Sequence, residues 1–341
     1  MKAQTAVWVA LALAIQVGFL NCAPTKFESA PTPVQSGSSQ GAIDPASGSQ
    51  VPVTGNPAEQ QFETLATFNQ TQTSPLDIVW VIDNSGSMDA EAAHVRKNFL
   101  GFIDSVKAFT DLKVALISTS VTANNGVTIP VAGANYLQID QKVESHDPLK
   151  LAGTAFCGTT PAAGSGCAEM RLGMDFTRLN KVAGKLRGFL RNGSKKAFVF
   201  VTDDESQVSA ARFRDAFKET FPSEEPIVYG FISYSAALSP CRAAEGLVYQ
   251  ALATDTGGAT FNVCDADWTK TFEQLASNVI RIAALPIVVP DDVRKGTIVS
   301  VELDGQLLIA GQYWFTNQGL VFDPQLTKNL TTVSVKIRYK K

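Results

Sequence analysis

An acidic residue followed by two serines gives this chain its clearest chemical signature. Asp83, Ser85 and Ser87 occupy alternate positions directly after the apolar run of residues 78–82. Such a run predicts a strand buried on both faces, which places Asp83 at the carboxyl end of that strand. Ligands bind at this edge in open α/β sheets. A carboxylate and two hydroxyls in one tight turn offer only oxygen donors, which hard cations such as Mg²⁺ prefer.

A second acidic residue repeats this pattern later in the chain. The apolar residues 197–201 lead through Thr202 to Asp203. Because the carboxyl ends of neighbouring parallel strands meet at one edge of a sheet, we expect Asp83 and Asp203 to converge. Asp204 and Glu205 follow. They either add negative charge to a cation site or lie in the first turn of a helix, where the helix dipole favours acids.

The elements that must position these acids alternate along the chain. Predicted strands cover residues 78–82, 114–118, 197–201, 227–232 and 259–263. Amphipathic helical stripes cover residues 95–106, 172–190, 211–217 and 268–282. This alternation predicts an α/β fold with a doubly wound, mostly parallel sheet. The character of the sequence changes after residue 286, where short strand patterns follow one another and Asp304-Gly305 predicts a hairpin turn. These patterns predict a small C-terminal all-β appendage.

The motif Asp-x-Ser-x-Ser at residues 83–87, with Thr202-Asp203, resembles the metal-ion-dependent adhesion site of von Willebrand factor A (VWA) domains. The resemblance covers residues 60–285. It implies a Rossmann-like VWA fold that binds Mg²⁺ (or Mn²⁺ or Ca²⁺) through Asp83, Ser85, Ser87 and Asp203, and it implies a binding module rather than an enzyme. The family usually has Thr-Asp-Gly in the last loop, whereas this chain has Asp204 in place of the glycine.

The family resemblance also implies a ligand from a further loop that precedes a helix. The matching stretch is residues 157–167, which is rich in glycine and hydroxyl side chains. Ser165 lies closest to the predicted helix start, so we assign it as the ligand. Thr160 is the alternative. A disulfide between Cys157 and Cys167 would hold either hydroxyl in place.

The resemblance implies that a bound ion keeps one position open for an Asp or Glu of a protein partner. The chain would then be an adhesion or scaffold module. One alternative is a structural assembly component whose metal only stabilises loops. Another is a metal-dependent hydrolase, since two acids near an ion could activate water. The chain has only His94 and His146, neither within a motif, and the net charge of -3 without a basic patch argues against nucleic acid.

The N-terminal region predicts export. Residues 1–21 have the length and apolar core of a signal peptide, and residues 19–22 resemble a bacterial lipoprotein cleavage box. Lipidation of Cys22 would anchor the protein in the cell envelope, through lipid alone, and Ala23 favours the outer membrane. A plain secretory signal is the alternative and gives a secreted or periplasmic protein. Residues 22–59 are rich in Pro, Ser, Gly, Gln and Thr and predict a disordered tether. The VWA domain (60–285) and the β-rich segment (286–341) follow.

The four remaining cysteines predict disulfides, because an exported chain meets an oxidising environment. Three connectivities are possible. We favour Cys157–Cys167 and Cys241–Cys264, because each pair brackets one local segment. Zinc binding is the rival, but the chain has no Cys-x-x-Cys and only two histidines.

Overall fold

The structure is a computed structural model that describes residues 61–69, 73–234, 241, 243–284, 286–287, 289–316, 319–323, 326 and 332–340. The predicted signal peptide, Cys22 and the tether lie outside the described residues. The chain divides into two compact units, Thr67–Val288 with Ile309–Val333, and residues up to Ala66 with Val289–Leu308 and Ser334–Lys341. The domain boundaries expected from the sequence remain predictions. None of the helices within the described ranges is long and apolar enough to cross a membrane.

The structure contains both strands and helices in alternation. The strands are β1 Gln61–Asn69, β2 Leu76–Ile82, β3 Leu112–Ser118, β4 Tyr136–Asp140, β5 Lys195–Val201, β6 Pro226–Ile232, β7 Ala259–Asn262, β8 Thr297–Leu303, β9 Gln306–Leu307, β10 Tyr313–Thr316, β11 Gly319–Phe322 and β12 Thr332–Lys340. The α-helices are α1 Asp89–Lys107, α2 Pro148–Phe156, α3 Gly166–Glu169, α4 Phe176–Val182, α5 Ala210–Thr220, α6 Leu247–Thr256, α7 Trp268–Ala283 and α8 Asp291–Lys295.

A six-stranded parallel sheet forms the centre of the larger unit. Its strand order is β4-β3-β2-β5-β6-β7, so β2 and β5, which end at the two candidate acids, are direct neighbours. All seven residues of β2 are buried, which is the pattern expected of a strand covered on both faces. The predicted α/β fold with a parallel sheet is therefore confirmed.

Alternate residues of β2 enter two separate hydrophobic cores. Ile78, Trp80 and Ile82 face the first core, which α1 and α7 complete. Val79 and Val81 face the second core, which includes side chains of α2, α5 and α6. Burial of each large apolar side chain contributes about 1.5–3 kcal/mol. This two-sided burial fixes β2, so the segment that follows it starts from a rigid strand.

Two local features differ from the sequence expectation. The stripe of residues 172–190 forms one short helix, α4, and then a series of turns. Gly184 ends the helical region because it has a φ of 71°, a left-handed conformation that other residues rarely adopt. Leu186 and Leu190 are nevertheless buried. Their spacing in the sequence therefore reflects burial and not a continuous helix. The structure also adds β4, α2 and α6, which the sequence patterns did not predict.

The C-terminal segment is rich in antiparallel strands, as expected. A four-stranded sheet has the order β1-β12-β8-β9, and β10 pairs with β11 in a separate hairpin. Asp304 and Gly305 have φ values of 49° and 80° and connect β8 to β9, in agreement with the predicted two-residue turn. The strand β1 belongs to this sheet and not to the parallel one.

Candidate metal centre

Asp83 is the first residue after β2 and its side chain is fully buried. One carboxylate oxygen, Oδ1, accepts a hydrogen bond of 2.8 Å from the backbone N–H of Ser85. The other, Oδ2, accepts one of 2.9 Å from the hydroxyl of Thr202. Because Thr202 directly follows β5, this second bond connects the two loops that the sequence predicts to form the site.

Ser85 and Ser87 lie beside each other at the start of the next helical segment. Their Oγ atoms are 3.2 Å apart. Ser85 precedes a short 3₁₀ turn, Gly86–Met88, that leads into α1, and its side chain makes no capping hydrogen bond there. Ser85 therefore does not serve as a side-chain cap of this turn. Both hydroxyls have the spacing of two donors to one small ion.

Asp203 follows Thr202 and is almost completely buried. Its backbone carbonyl accepts hydrogen bonds from the N–H groups of Ala243 (3.0 Å) and Ala244 (3.1 Å) and from the hydroxyl of Ser233 (3.2 Å). Its carboxylate oxygen Oδ1 is buried and has no hydrogen-bond partner. An unpaired buried carboxylate oxygen is costly, so a cation at this position would remove a penalty that the described protein atoms leave in place.

The electrostatics of the two acids also favour a cation. Burial raises the pKa of Asp83 to about 6, against opposing hydrogen bonds from Ser85 and Thr202, and the charge of Asp203 raises the pKa further. Burial likewise raises the pKa of Asp203, while a hydrogen bond from Ser87 lowers it. Burial also raises the pKa of Glu91, in the first turn of α1, and the charge of Asp203 adds to the effect.

These three acids have no compensating positive charge in the part of the chain that the structure describes. No lysine or arginine there lowers the pKa of Asp83, Asp203 or Glu91. Glu91 Oε2, like Asp203 Oδ1, is buried without a hydrogen-bond partner. A divalent ion held by Asp83, Ser85, Ser87 and Asp203 fits this arrangement, because it supplies the missing charge to a set of hard oxygen donors.

Asn84 is an organising residue that the sequence patterns did not reveal. Its side-chain NH₂ donates to Ser118 Oγ and to the carbonyl of Asn125, both at 2.9 Å. Its side-chain oxygen accepts from the N–H groups of Thr119 and Val143, both at 3.1 Å. Asn84 thus ties the loops after β3 and β4 to the motif. In the sequence, Asn84 is distinguished only as a polar residue within the motif that is not one of the predicted ligands.

The structure does not join Ser165 to the other predicted ligands. The Ser165 hydroxyl accepts a hydrogen bond of 3.2 Å from the N–H of Ala168 and so caps α3. The neighbouring Cys167 N–H donates to Glu219 in the last turn of α5, away from the residues around Asp83. Thr160 is exposed in the same loop. Neither hydroxyl shares a hydrogen bond with the Asp83 loop in the described residues.

The segment between β4 and α2 contacts the loops that follow β2 and β5. The Ser145 carbonyl lies 3.4 Å from the Thr202 hydroxyl, and His146 Nδ1 lies 2.8 Å from the Glu205 carbonyl oxygen. His146 Nδ1 is also 3.4 Å from a carboxylate oxygen of Asp204. Sequence reasoning missed this segment because it did not predict β4, whose end starts the loop.

Glu205 binds the start of α6 at this edge of the sheet. Its carboxylate accepts hydrogen bonds of 3.1 and 3.2 Å from the N–H of Val248, in the first turn of α6. It also accepts one of 2.7 Å from the N–H of Ser206. The expectation that Asp204 and Glu205 lie in the first turn of the next helix is wrong, because α5 begins only at Ala210. Glu205 instead accepts hydrogen bonds from the first turn of α6.

Both predicted disulfides, Cys157–Cys167 and Cys241–Cys264, are present. The second closes a segment that contains Ala243 and Ala244, whose N–H groups hold the Asp203 carbonyl. Within the described ranges, no group of three or more His, Cys, Asp or Glu side chains could hold a metal ion. The centre proposed below differs in composition, since it combines two carboxylates with hydroxyls.

Comparisons with known proteins add little to this geometry. No family model matches the chain, and no curated protein matches it. Among solved structures it is similar to proximal thread matrix protein 1 from the mussel byssus, at 13% identity and a TM-score of 0.29, over 62% of this chain. The chain spans about half of that protein, 47% of its length. A TM-score this low carries no argument about fold or function.

Proposed function

We propose that this chain is a metal-dependent protein-binding module of the VWA type, an adhesion or scaffold protein and not an enzyme. One observation carries the proposal. Asp83 and Asp203 are both buried at the carboxyl edge of the sheet, and Asp203 Oδ1 has no hydrogen-bond partner among the residues that the structure describes. Buried carboxylates are normally paired with a cation or coordinate a metal. Here no lysine or arginine of the described chain supplies that charge.

The ion that fits best is Mg²⁺, with Mn²⁺ and Ca²⁺ as alternatives. Asp83 and Asp203 balance the charge of one divalent ion, while Ser85 and Ser87 add neutral oxygen donors. Mg²⁺ commonly binds to one or two carboxylates and keeps several waters. The bound ion would supply a positive site for the Asp or Glu of a partner protein. Ser165 is no longer needed in this proposal, because its hydroxyl caps α3.

The cellular context comes from the sequence alone. We place the module in a bacterial cell envelope, attached through lipidated Cys22 and the tether of residues 22–59, with no contact with nucleic acid. The predicted disulfides fit export, because such bonds persist in oxidising compartments. A secreted or periplasmic form without the lipid remains the alternative. Mass spectrometry of the purified protein for a diacylglycerol-modified Cys22 distinguishes the two.

A purely structural role for the metal is the second candidate. The hydrogen bonds of Asn84 and Thr202 connect the loops after β2, β3, β4 and β5. An ion bound to Asp83 and Asp203 would strengthen these same connections. In that case the metal would raise the melting temperature and leave partner binding unchanged.

Calorimetric titration of Mg²⁺, Mn²⁺ and Ca²⁺ into the metal-stripped protein tests the site. We expect binding of one ion by the wild type, none by Asp83→Asn, and unchanged binding by Glu144→Gln. Glu144 is a matched control because it is an exposed acid in the β4–α2 segment that pairs with Lys142 at 3.1 Å. Equal metal binding by wild type and Asp83→Asn would overturn the proposal.

A further inference from the structure

Several large apolar side chains of the larger unit are exposed. Between β2 and α7, the large hydrophobic side chains with high exposure are Leu100, Val121, Leu172, Phe176 and Leu247. Single exposed apolar residues are common on protein surfaces, but their concentration around a functional site marks an interaction surface. Val121 and Leu247 lie in segments that hydrogen-bond to the loops after β2 and β5, and Phe176 begins α4, which forms an ion pair with the β4–α2 segment. We call these three the apolar rim.

Val121 belongs to the loop after β3. Its side chain is 49% exposed, and its N–H donates to the Thr119 hydroxyl at 3.3 Å. The N–H of Thr119 in turn donates to Asn84 at 3.1 Å. In the same loop the Asn125 side chain donates to the carbonyl of Ser85. Val121 is therefore held beside the Asp83 motif.

Leu247 lies on the side of the Asp203 loop. It is the first residue of α6 and its side chain is 57% exposed. The next N–H, that of Val248, donates to the Glu205 carboxylate. The preceding Gly246 N–H donates to the carbonyl of Ser233, whose hydroxyl donates to the Asp203 carbonyl. Leu247 is thus fixed next to the second metal loop.

Phe176 lies next to the third segment of the site. It begins α4 and its side chain is 77% exposed. In the same helical turn, Arg178 forms an ion pair with Asp147. Asp147 directly follows His146, whose ring contacts the Glu205 carbonyl oxygen at 2.8 Å. The three rim residues therefore lie in three different elements, the β3–β4 loop, α6 and α4, each linked by hydrogen bonds or an ion pair to segments of the candidate centre.

We propose that the apolar rim is part of the partner-binding surface, and that the partner segment carries one Asp or Glu between large apolar side chains. The inference rests on the proposed function. A cation at the centre would bind the acid, and the rim would bury the apolar neighbours. The buried negative charge of the empty centre would by itself repel an acidic segment, so both contacts require the metal.

Selection from a displayed peptide library tests this surface. Each peptide carries a central Asp or Glu between randomised positions, and selection runs in Mg²⁺ and in chelator. The wild type should enrich peptides with Leu, Ile, Val or Phe beside the acid, in Mg²⁺ only. The triple variant Val121→Ser/Phe176→Ser/Leu247→Ser should lose this apolar preference and bind the best selected peptide at least about tenfold more weakly.

Matched variants separate the rim from the metal site. Leu100→Ser removes an exposed apolar side chain of α1 and should bind the selected peptide as the wild type does. The rim variant should keep its melting temperature and its affinity for Mg²⁺ alone, because its changed side chains are exposed and offer no metal ligand. Loss of Mg²⁺ binding in Asp83→Asn should abolish selection altogether.

The possible failures differ from one another. Mg²⁺-dependent peptides without apolar preference, or equal binding by wild type and rim variant, would overturn the rim and leave the proposed function standing. Absence of any Mg²⁺-dependent peptide would overturn both. Mg²⁺-dependent self-association in sedimentation experiments, lost in the rim variant and without peptide selectivity, would assign the rim to a second copy of the chain and also overturn the proposal.

Discussion

Buried carboxylates at the two edges of the central sheet have opposite charge environments. Asp77 at the start of β2 and Asp83 just after its end are both fully buried. Asp77 Oδ1 accepts a hydrogen bond of 2.8 Å from the guanidinium of Arg191, and Oδ2 accepts one of 2.7 Å from the Ser194 hydroxyl. Among the described residues, Asp83 accepts hydrogen bonds from the uncharged donors Ser85 and Thr202. The described part of the chain thus supplies a cation to Asp77 and none to Asp83.

The same contrast holds for the neighbouring strand. At the amino edge, the buried ammonium of Lys196 on β5 pairs with Glu224 and lies 4.7 Å from the centre of the Phe221 ring. At the carboxyl edge, Asp203 after β5 keeps an unpartnered oxygen. The difference teaches that this fold can pair buried charges internally. Within the described ranges, the buried carboxylate oxygens without a hydrogen-bond partner, Asp203 Oδ1 and Glu91 Oε2, belong to the edge where α/β sheets bind ligands.

Loss of the internal cation at the amino edge should have the largest effect. Arg191→Gln leaves Asp77 buried without a charge partner, which should lower the free energy of unfolding by about 3–5 kcal/mol. Urea denaturation measures this change. Arg212→Gln is the control, because Arg212 pairs with Glu169 at 2.9 Å on the surface and should cost less than about 1 kcal/mol. Similar losses in the two variants would contradict the contrast between the edges.

Removal of the charge at the carboxyl edge should have the opposite sign. In metal-free protein the folded-state pKa of Asp83 is about 6, above its ordinary value of 3.8. Folding therefore favours the protonated acid, and the ionised acid destabilises the protein at high pH. At pH 8, Asp83→Asn should be more stable than the wild type by up to about 3 kcal/mol, because the folded-state pKa of Asp83 lies about two pKa units above its ordinary value.

The pH dependence of that difference provides the check. As the pH falls through 6 towards 3.8, Asp83 becomes protonated in the folded state, and the advantage of Asp83→Asn should shrink. Denaturation of both proteins in chelator across this range measures it. Saturating Mg²⁺ should reverse the order at pH 8, because only the wild type gains binding energy. If the wild type were the more stable protein at pH 8 without metal, that result would contradict the lack of a positive charge partner for Asp83 among the described residues.

The sequence was most informative where burial is complete. The apolar runs before Asp83 and Asp203 predicted adjacent strands, because a strand covered on both faces has no polar alternation to obscure it. Local pairing of cysteines also sufficed for both disulfides. The strand β4 was not predicted because it is a short edge strand, Tyr136–Asp140, with only one buried residue. Its mixed sequence carries neither an apolar run nor a clear alternation.

Features around the candidate site that the sequence did not reveal also depend on contacts between distant segments. Without β4, the segment containing Ser145 and His146 had no strand to place it at the sheet edge. The choice of Ser165 rested on its position before a helix, but a serine there serves equally as an N-cap. Asn84 acts through contacts with Ser118, Asn125 and Val143. Such long-range contacts leave no periodic signal in one sequence.

The smallest effect we predict concerns the disulfide beside the carboxyl edge. Cys241–Cys264 closes the segment whose Ala243 and Ala244 N–H groups hold the Asp203 carbonyl. In the double variant Cys241→Ser/Cys264→Ser, this segment should loosen and Asp203 should lose part of its support. One hydrogen bond is worth about 1 kcal/mol net, so we expect Mg²⁺ affinity to fall about fivefold in calorimetric titration.

The other disulfide provides the matched comparison. Cys157 and Cys167 are buried beside α5, and Cys167 hydrogen-bonds to Glu219 rather than to a metal loop. Cys157→Ser/Cys167→Ser should lower the free energy of unfolding by about 2–4 kcal/mol and leave Mg²⁺ affinity unchanged. If both double variants weakened Mg²⁺ binding equally, the effect would be one of general stability. A drop confined to Cys241→Ser/Cys264→Ser would show that the backbone of Asp203 must be held for its carboxylate to bind the ion.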